Sequence, residues 1–411
     1  MRVLLITSTD SSYLGGEVTY LKNLAPALTE HGVDIRVLVL STQAGMRNDF
    51  IDNPCFRTIH ICNPYTYRGL FAKNLIYPKL YTALRRELKD FSPDVLHFHT
   101  VFFLKTVLLA TRTIPKVQTF HEMSLLDPFY PLFFSAGEHR TYHGKPTLSA
   151  AKKIGIKRRT ILIDYLLFGD HSWSKKMITA FLCPSRHLQR EAEKRRLVPA
   201  LHVPYFYTAR VKSTHVPKTA QLLFVGRLEK IKGVEFLLRA LPQILATVPH
   251  TELTIIGDGP EDKQLKELTR TLCVTNAVRF LGWIPNEEIA DYYQQASAVV
   301  IPSIYPEVNP LVALEAMEAG VPIVAYRSGG LPEMVEHKVS GLLVETFSIP
   351  SLADACIRLC ADPLYARALG KAGRELLEQR YTKKQHIDRL MAIYDSSIKV
   401  RAVPQNSRIN F

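Results

Sequence analysis

Residues 302–320, PSIYPEVNPLVALEAMEAG, combine a loop, a strong helix start and two glutamates. Asn309 is a favoured N-cap residue, and Pro310 suits the first helical position because a missing N–H costs nothing there. A glycine after an apolar periodic segment is a usual helix end. The stretch therefore predicts a helix that is capped by Asn309, begins at Pro310 and ends at Gly320.

The start of this predicted helix is suited to an anion. The backbone N–H groups of Leu311 and Val312 would have no acceptor within the helix, and the helix dipole adds partial positive charge beside them. Phosphate oxygens bind at such helix ends. With Glu307 in the preceding loop and Glu315 further along the helix, two carboxylates would flank the bound anion.

Two interpretations of these glutamates are open. On an ordinary amphipathic helix both side chains would face water. The residues around Glu315 are mostly apolar, however, so its helix is expected to be buried and its carboxylate to need a hydrogen-bonding partner. A ribose diol is such a partner.

Composition indicates a globular protein. With 411 residues the chain is long enough for two domains. No uncharged apolar run reaches the roughly 18 residues of a membrane span, and the opening MRVLLITSTD is typical of a first strand rather than a signal peptide, so we expect a cytoplasmic protein. The six cysteines form no CxxC pair, which argues against a zinc site and a disulfide framework.

Positive charge is concentrated in the first half of the chain. Residues 1–205 hold 28 Lys and Arg against 16 Asp and Glu, whereas residues 206–411 hold 24 against 22. The irregular segment 123–175 contains the aromatic run DPFYPLFF at 127–134 and the basic run KKIGIKRR at 152–159. This charge is compatible with a solvated surface or with a partner-binding surface. We expect the segment to contact an acceptor or an anionic membrane surface.

Apolar strands alternate with helical segments in both halves, which predicts an α/β fold with parallel, doubly wound sheets. We expect Rossmann-like domains at 1–205 and 220–380, joined by a linker at 206–219 where prolines interrupt the periodicity. A helix at 381–397 would cross back to the first domain before a tail at 398–411. The predicted strands are 2–7, 35–40, 94–98, 116–120, 181–185, 221–225, 253–257, 278–282, 298–303 and 321–326.

Further candidate site residues follow predicted strands. Gly15 and Gly16 open the first helix, where adjacent glycines let a ligand approach the backbone. His121 follows the strand 116–120, at the edge where open α/β sheets bind ligands, and a lone histidine there is either structural or functional. Basic side chains in a glycine-rich turn, as at Arg227 and Lys232, suit a diphosphate.

Trp283 and Ile284 follow the strand 278–282, and we expect them to border a nucleobase. The glycine spacing of the second half does not match a GxGxxG motif at its first strand-to-helix turn. A dinucleotide-binding fingerprint is therefore not supported.

With these residues in place, the chain resembles the retaining nucleotide-sugar glycosyltransferases of family 4, which have the GT-B fold. The resemblance covers most of residues 1–397 and rests on the order of several motifs. One departure is Val308 and Asn309 after Glu307, where many relatives have Gly and Phe. The motifs are GGEVTYLKNLAPALTEHG at 15–32, His121, VGRLEKIKG at 225–233, GDGP at 257–260, the two glutamates, AMEAGVPIVA at 316–325 and GGLPE at 329–333.

The resemblance implies two domains that face each other across a cleft, with the donor held mainly by the second domain and the acceptor by the first. It implies that Arg227 and Lys232 neutralise the diphosphate. Glu315 would hold the ribose hydroxyls and Glu307 would contact the sugar.

From the first domain, the resemblance implies that His121 contacts the sugar and that Gly16 approaches the phosphate. No metal or other cofactor is expected, because two cations and a helix N-terminus already supply a positive field. The expected reaction moves a sugar, with retention, from a UDP- or GDP-sugar to a glycan or lipid-linked acceptor at the cytoplasmic membrane face.

Three other functions are compatible with parts of this sequence. Two carboxylates could form a glycosidase pair, but the anion site beside them would then be unused. An epimerase or phosphorylase with the same fold is an alternative. Turnover of the donor, or of a glucan with phosphate, in the absence of an acceptor would reveal such an enzyme. A basic nucleic-acid-binding module is another alternative, although no nucleic-acid motif accompanies the charge, so we expect no nucleic acid partner.

Overall fold

A computed structural model describes the chain at residues 1–8, 16–41, 55–60, 77–101, 104–123, 177–208 and 220–402. Most of the predicted linker, nearly all of the segment 123–175 and the C-terminal tail lie outside these residues. Two parallel sheets make up the described part, which confirms the predicted α/β fold class. The domain limits stay a prediction.

The first sheet has seven described parallel strands in the order β3-β2-β1-β4-β5-β6-β7. The direction of winding reverses between β1 and β4, which is where doubly wound sheets bind ligands. Its elements are β1 Arg2–Thr7, α1 Gly16–Glu30, β2 Asp34–Ser41, β3 Phe56–His60, α2 Pro78–Phe91, β4 Val95–Phe98, α3 Leu104–Ala110, β5 Lys116–Thr119, β6 Ala180–Cys183, α4 Arg186–Lys194 and β7 Ala200–His202.

The second sheet has six described parallel strands in the order β10-β9-β8-β11-β12-β13, with its reversal between β8 and β11. Its elements are β8 Gln221–Val225, α5 Val234–Thr247, β9 Glu252–Ile256, α6 Asp262–Thr271, β10 Val278–Gly282, α7 Asn286–Gln295, β11 Ala298–Ile301, α8 Leu311–Ala319, β12 Ile323–Tyr326, α9 Leu331–Met334, β13 Gly341–Val344, α10 Ile349–Ala361, α11 Pro363–Arg380 and α12 Lys383–Ala402.

Burial on both sheet faces explains the apolar strand sequences. In β1, Val3 and Leu5 enter one core cluster while Leu4 and Ile6 enter another, and all four are fully buried. Strands covered by helices on both faces contain near-continuous apolar runs instead of an alternating pattern. The cluster that contains Val3 also includes residues of the second sheet, so the two sheets share part of their core.

The chain crosses between the two sheets twice. After β7 it runs through residues 203–208 toward the second sheet, and after α11 it returns at Tyr381. The two crossings lie side by side, since the backbone N–H of Tyr207 donates to the carbonyl of Tyr381 at 3.1 Å. Helix α12 then packs on α1, β4 and β5 of the first sheet.

Several sequence-predicted boundaries differ from the structure. The strands expected to end at residue 303 and to begin at 321 are shorter, because Pro302 and Pro322 cannot donate to a sheet ladder. Strands β3, β7 and β13 were not predicted. The last helix extends to Ala402 rather than to about 397.

Candidate active site

Glu307 lies in the loop after β11, at the carboxyl edge of the second sheet. Its residue surface is only 9% exposed. The carboxylate oxygen Oε1 accepts from Lys232 Nζ at 2.7 Å and from Ser303 Oγ at 2.6 Å. A largely buried carboxylate needs such partners, because an unpaired buried charge is strongly destabilising. The two charged residues therefore form one unit at the point where the sheet order reverses.

Glycines bring the neighbouring turns close enough to hold this unit. A Cβ atom on Gly233, where φ is +70°, would lie 2.0 Å from the carbonyl oxygen of Pro302. A Cβ atom on Gly329, where φ is +59°, would lie 2.2 Å from the carbonyl oxygen of Glu307. Only glycine tolerates both the left-handed backbone and the contact. The backbone N–H of Gly330 also donates to that Glu307 carbonyl at 2.6 Å.

Arg227 follows β8 and therefore lies at the same edge of the sheet as the Glu307 loop. Its side chain is 37% exposed, and Nη2 lies 2.7 Å from Glu229 Oε1. Arg227 and Lys232 are thus both placed by the segment after β8, beside the residues that follow β11. This edge can accept a polyanion.

Glu315 is half-buried on α8, and Tyr293 of α7 donates its hydroxyl to Glu315 Oε2 at 2.6 Å. Burial, together with the Glu315 carboxylate, raises the pKa of Tyr293 well above its ordinary value, so the phenol stays protonated as a donor. Glu315 lines a cleft between α1, the crossing after β7, α7 and α8. The lining residues include Thr19, Asn23, Tyr207, Ile289, Leu311 and Glu318.

The predicted cap of this helix was wrong. Helix α8 begins at Leu311 and ends at Ala319, with Pro310 as the flanking residue and Gly320 in the left-handed conformation at φ +71°. Asn309 does not cap the helix, because its Oδ1 accepts from the backbone N–H of Tyr205 at 3.0 Å. Leu311 and Val312 remain at the helix start as expected.

Gly16 at the start of α1 faces this helix start. A Cβ atom on Gly16 would lie 3.7 Å from Leu311 Cδ1, so the carboxyl edges of the two sheets meet there. Gly15 lies outside the described residues. Trp283 is 57% exposed after β10, and Ile284 is half-buried beside it.

His121 lies at the carboxyl end of β5, as expected. Both ring nitrogens already have partners, since Nε2 lies 2.7 Å from His99 Nδ1 and Nδ1 lies 2.5 Å from the hydroxyl of Tyr205. Burial lowers the pKa of His121, and Glu17 opposes that shift. A hydrogen bond from a His121 ring nitrogen to a sugar therefore requires exchange of one of these contacts.

Comparison with known proteins decides the family. Residues 14–206 match the profile described as Glycosyltransferase Family 4, and residues 207–376 match the profile described as Glycosyl transferases group 1. The chain belongs to glycosyltransferase family 4. Its fold is GT-B, in agreement with the resemblance seen in the sequence.

Named relatives support this assignment. The D-inositol 3-phosphate glycosyltransferase of Corynebacterium jeikeium is 28% identical over 379 residues, which are 87% of this chain and 86% of that protein. The glycogen synthase of Mycobacterium tuberculosis is 39% identical over 163 residues, which are 39% of each chain. The first similarity spans both sheets and the second spans one part of the chain.

Solved structures show the same fold. Sucrose-phosphate synthase from Thermosynechococcus elongatus superposes with a TM-score of 0.74 at 22% identity, covering 97% of this chain and 100% of that one. The Anabaena protein HepE, solved in complex with UDP-glucose, superposes with a TM-score of 0.71 at 19% identity, covering 96% and 100%. This glycosyltransferase therefore has both sheets of the GT-B fold, arranged as in these solved structures.

Sequence reasoning missed three groups that contact residues or segments of the candidate site in this glycosyltransferase. Glu17 was not singled out, although its Oε1 accepts from Thr7 Oγ1 at 2.8 Å and from the backbone N–H of Thr100 at 3.1 Å. His99 was also missed. It is fully buried, and its Nε2 has no partner among the described residues. The position of His99 just after β4, opposite the end of β1, was the available signal.

The third missed group is Glu333, in the GGLPE motif, which contacts the first domain.

Among the described residues, no cluster of His, Cys, Asp or Glu is suited to a metal ion. In the same residues, no helix is both long and apolar enough to span a membrane. Cys183, Cys356 and Cys360 are buried, whereas Cys273 is exposed.

Proposed function

We propose that this glycosyltransferase transfers a hexosyl group from a nucleoside diphosphate sugar with retention of anomeric configuration. The observation that supports it best is the grouping of Arg227, Lys232 and Glu307 at the reversal point of the second sheet, beside the start of α8. Two cations and the first N–H groups of a helix form a positive field suited to a diphosphate.

Electrostatic stabilisation of the leaving group would supply most of the catalysis. As the bond between the anomeric carbon and the phosphate oxygen breaks, negative charge grows on the β-phosphate. Arg227, Lys232 and the helix start would stabilise it without reorganising. The acceptor oxygen bonds to the anomeric carbon on the same side, and its proton passes to the departing phosphate oxygen. No protein base is then required.

Glu307 would contact the sugar through its second carboxylate oxygen while Lys232 and Ser303 hold Oε1. Glu315 would bind the ribose hydroxyls, with Tyr293 fixing the orientation of its carboxylate. The cleft that Glu315 lines provides room for the nucleoside, and Trp283 would border the base. His121 would contact the sugar from the first domain, and Gly15 and Gly16 would let the phosphate approach.

The donor is proposed to be a UDP-sugar, with a GDP-sugar as the second candidate. Support for UDP comes from the Anabaena neighbour, which was solved with UDP-glucose. The acceptor is proposed to be a glycan or a lipid-linked sugar at the cytoplasmic face of a membrane. The excess of basic residues in 1–205 supports an anionic partner. The runs at 127–134 and 152–159 that suggested this surface lie outside the described residues.

A thermal-shift panel of nucleotide sugars and free nucleotides tests the donor proposal. A ligand that binds only the folded state raises the melting temperature by mass action. We expect UDP and at least one UDP-sugar to raise it, and adenosine diphosphate to have little effect. If no nucleoside diphosphate or nucleotide sugar shifts the melting temperature or is turned over, the proposal is wrong.

Vesicle sedimentation tests the membrane proposal. Neutral and anionic vesicles are compared at low and high salt, with wild type and a variant in which Lys152, Lys153, Lys157, Arg158 and Arg159 are replaced by Gln. Each basic residue close to an anionic surface contributes about 1 kcal/mol, and salt screens this attraction. Equal sedimentation in all samples, or none, would refute membrane docking.

A further inference from the structure

A carboxylate of the second domain caps a helix of the first domain. Glu333 Oε2 accepts from the backbone N–H of Arg186 at 2.7 Å, and Oε1 accepts from that of His187 at 2.6 Å. Ser185, the N-cap of α4, accepts from the N–H of Leu188 at 3.2 Å. The first amide groups of α4 therefore have acceptors, and two of these acceptors belong to a residue on the other domain.

This contact has the features of a strong interaction. Both oxygens of an ionised carboxylate accept from N–H groups, and the positive end of a helix dipole adds to the attraction. The geometry is satisfied only when the second domain lies against the N-terminus of α4. If the contact is lost, two amide groups of α4 lose these acceptors. The contact therefore favours the arrangement in which the two domains lie against each other.

The segment that carries Glu333 also positions the Glu307 loop. Gly330 donates its N–H to the carbonyl of Glu307 at 2.6 Å. A Cβ atom on Gly330 would lie 2.9 Å from Ser185 Cβ and 2.3 Å from the carbonyl oxygen of Val308. Gly330 is thus packed between the cap of α4 and the Glu307 loop. If α4 moves away from Gly330, the packing of the α4 cap and of the Glu307 loop both change.

We propose that Glu333 is a positioning residue that couples the approach of the first domain to the placement of Glu307. When Glu333 binds the start of α4, Gly330 holds the Glu307 backbone and the carboxylate meets Lys232. When the domains separate, Ser185 no longer packs against Gly330, so the segment that holds the Glu307 backbone loses its support from the first domain. The link to catalysis rests on the proposed donor site, whereas the link to domain approach depends only on the contacts described above.

The test replaces Glu333 by Gln, which offers one acceptor oxygen and turns an NH₂ group toward the second amide. The matched control is Glu336→Gln, the same change three positions further on, where Glu336 makes an exposed ion pair with Arg380 at 2.8 Å. Turnover of UDP-glucose, binding of UDP by calorimetry and the radius of gyration by small-angle X-ray scattering are measured for each protein.

For Glu333→Gln we expect kcat to fall roughly tenfold. The KM for UDP-glucose and the Kd for UDP should change less than about twofold, because Arg227 and Lys232, the proposed partners of the diphosphate, are unchanged. The ligand-free radius of gyration should exceed that of wild type. Glu336→Gln should match wild type in every measurement. A fold defect alone would lower the active fraction and the melting temperature without increasing the radius of the folded protein.

Two results would overturn the proposal. One is a Glu333→Gln protein with the kcat and radius of the control. The other is a loss of kcat with an unchanged radius, since Glu333 would then act without altering domain approach. Wild-type protein that neither binds UDP nor turns over UDP-glucose would count against the donor proposal alone. The scattering comparison needs no ligand and still decides the domain-approach proposal.

Discussion

His386 makes the folding stability of this glycosyltransferase depend on pH. It is 3% exposed on α12, with Nε2 at 2.8 Å from the hydroxyl of Tyr20 and Nδ1 at 2.7 Å from the carbonyl of Pro204. Because Nδ1 must donate to that carbonyl, Nε2 accepts from Tyr20. Burial lowers the pKa of His386 from 6.5 to about 4, although the bond to Pro204 opposes the shift.

The sign and size of the effect follow from these pKa values. The unfolded chain binds a proton near pH 6.5, and the folded chain binds it only near pH 4, so the unfolded state holds more protons between these values. His386 therefore does not lower the free energy of unfolding above about pH 6.5, and it lowers that free energy progressively as the pH decreases further. The loss amounts to about 2 kcal/mol at pH 5 and about 3 kcal/mol at pH 4.

Urea denaturation of wild type and His386→Gln at pH 7.5 and pH 5.0 measures this contribution. Glutamine offers Tyr20 an acceptor but takes up no proton. We expect the loss of stability between the two pH values to be about 2 kcal/mol smaller in the variant, since the other buried histidines are unchanged. His250→Gln removes an exposed histidine and should keep the wild-type loss. An unchanged loss in His386→Gln would refute the reasoning.

Further predictions concern the proposed donor site. Arg227→Ala should lower kcat/KM for the donor roughly tenfold to 150-fold through loss of a charged hydrogen bond; unchanged kinetics with a confirmed donor would remove Arg227 from the site. Lys232→Ala should lower kcat/KM similarly and also lower the melting temperature, because Glu307 loses its cation, and a wild-type melting curve would contradict that pairing. Glu315→Gln should weaken UDP as well as UDP-sugars, whereas an effect on sugar-bearing ligands alone would mean that the glutamate roles are misassigned. Activity should survive EDTA, and restoration of lost activity by one divalent ion would contradict a metal-free reaction.

The parallel sheets could be predicted because their strands are buried on both faces. Near-continuous apolar runs such as RVLLIT identify central strands without any information about distant contacts. The left-handed glycine at Gly320 and the placement of Arg227 after a strand are likewise local features. Strands β3, β7 and β13, which were missed, are all edge strands, and the sequences FRTIH of β3 and ALH of β7 lack a sustained apolar run.

Contacts between distant parts of the chain could not be predicted. Asn309 has the composition of an N-cap, but the backbone of Tyr205, which is 104 positions away, binds its side chain. His121 was singled out by its place after β5, whereas its contact with His99 depends on the pairing of β4 with β5. The cap that Glu333 provides for α4 joins the two domains, and nothing in the GGLPE motif indicates that partner.

The two adjacent crossings of the chain, at Tyr207 and Tyr381, have a mechanical consequence. A single connection would let the domains twist and translate freely, but two neighbouring connections act as a hinge with one axis. Because Tyr207 donates to Tyr381, that axis is itself held by a backbone hydrogen bond. Cleavage of one connection would leave the halves joined by the other. We therefore expect the domains to move mainly by opening and closing the cleft.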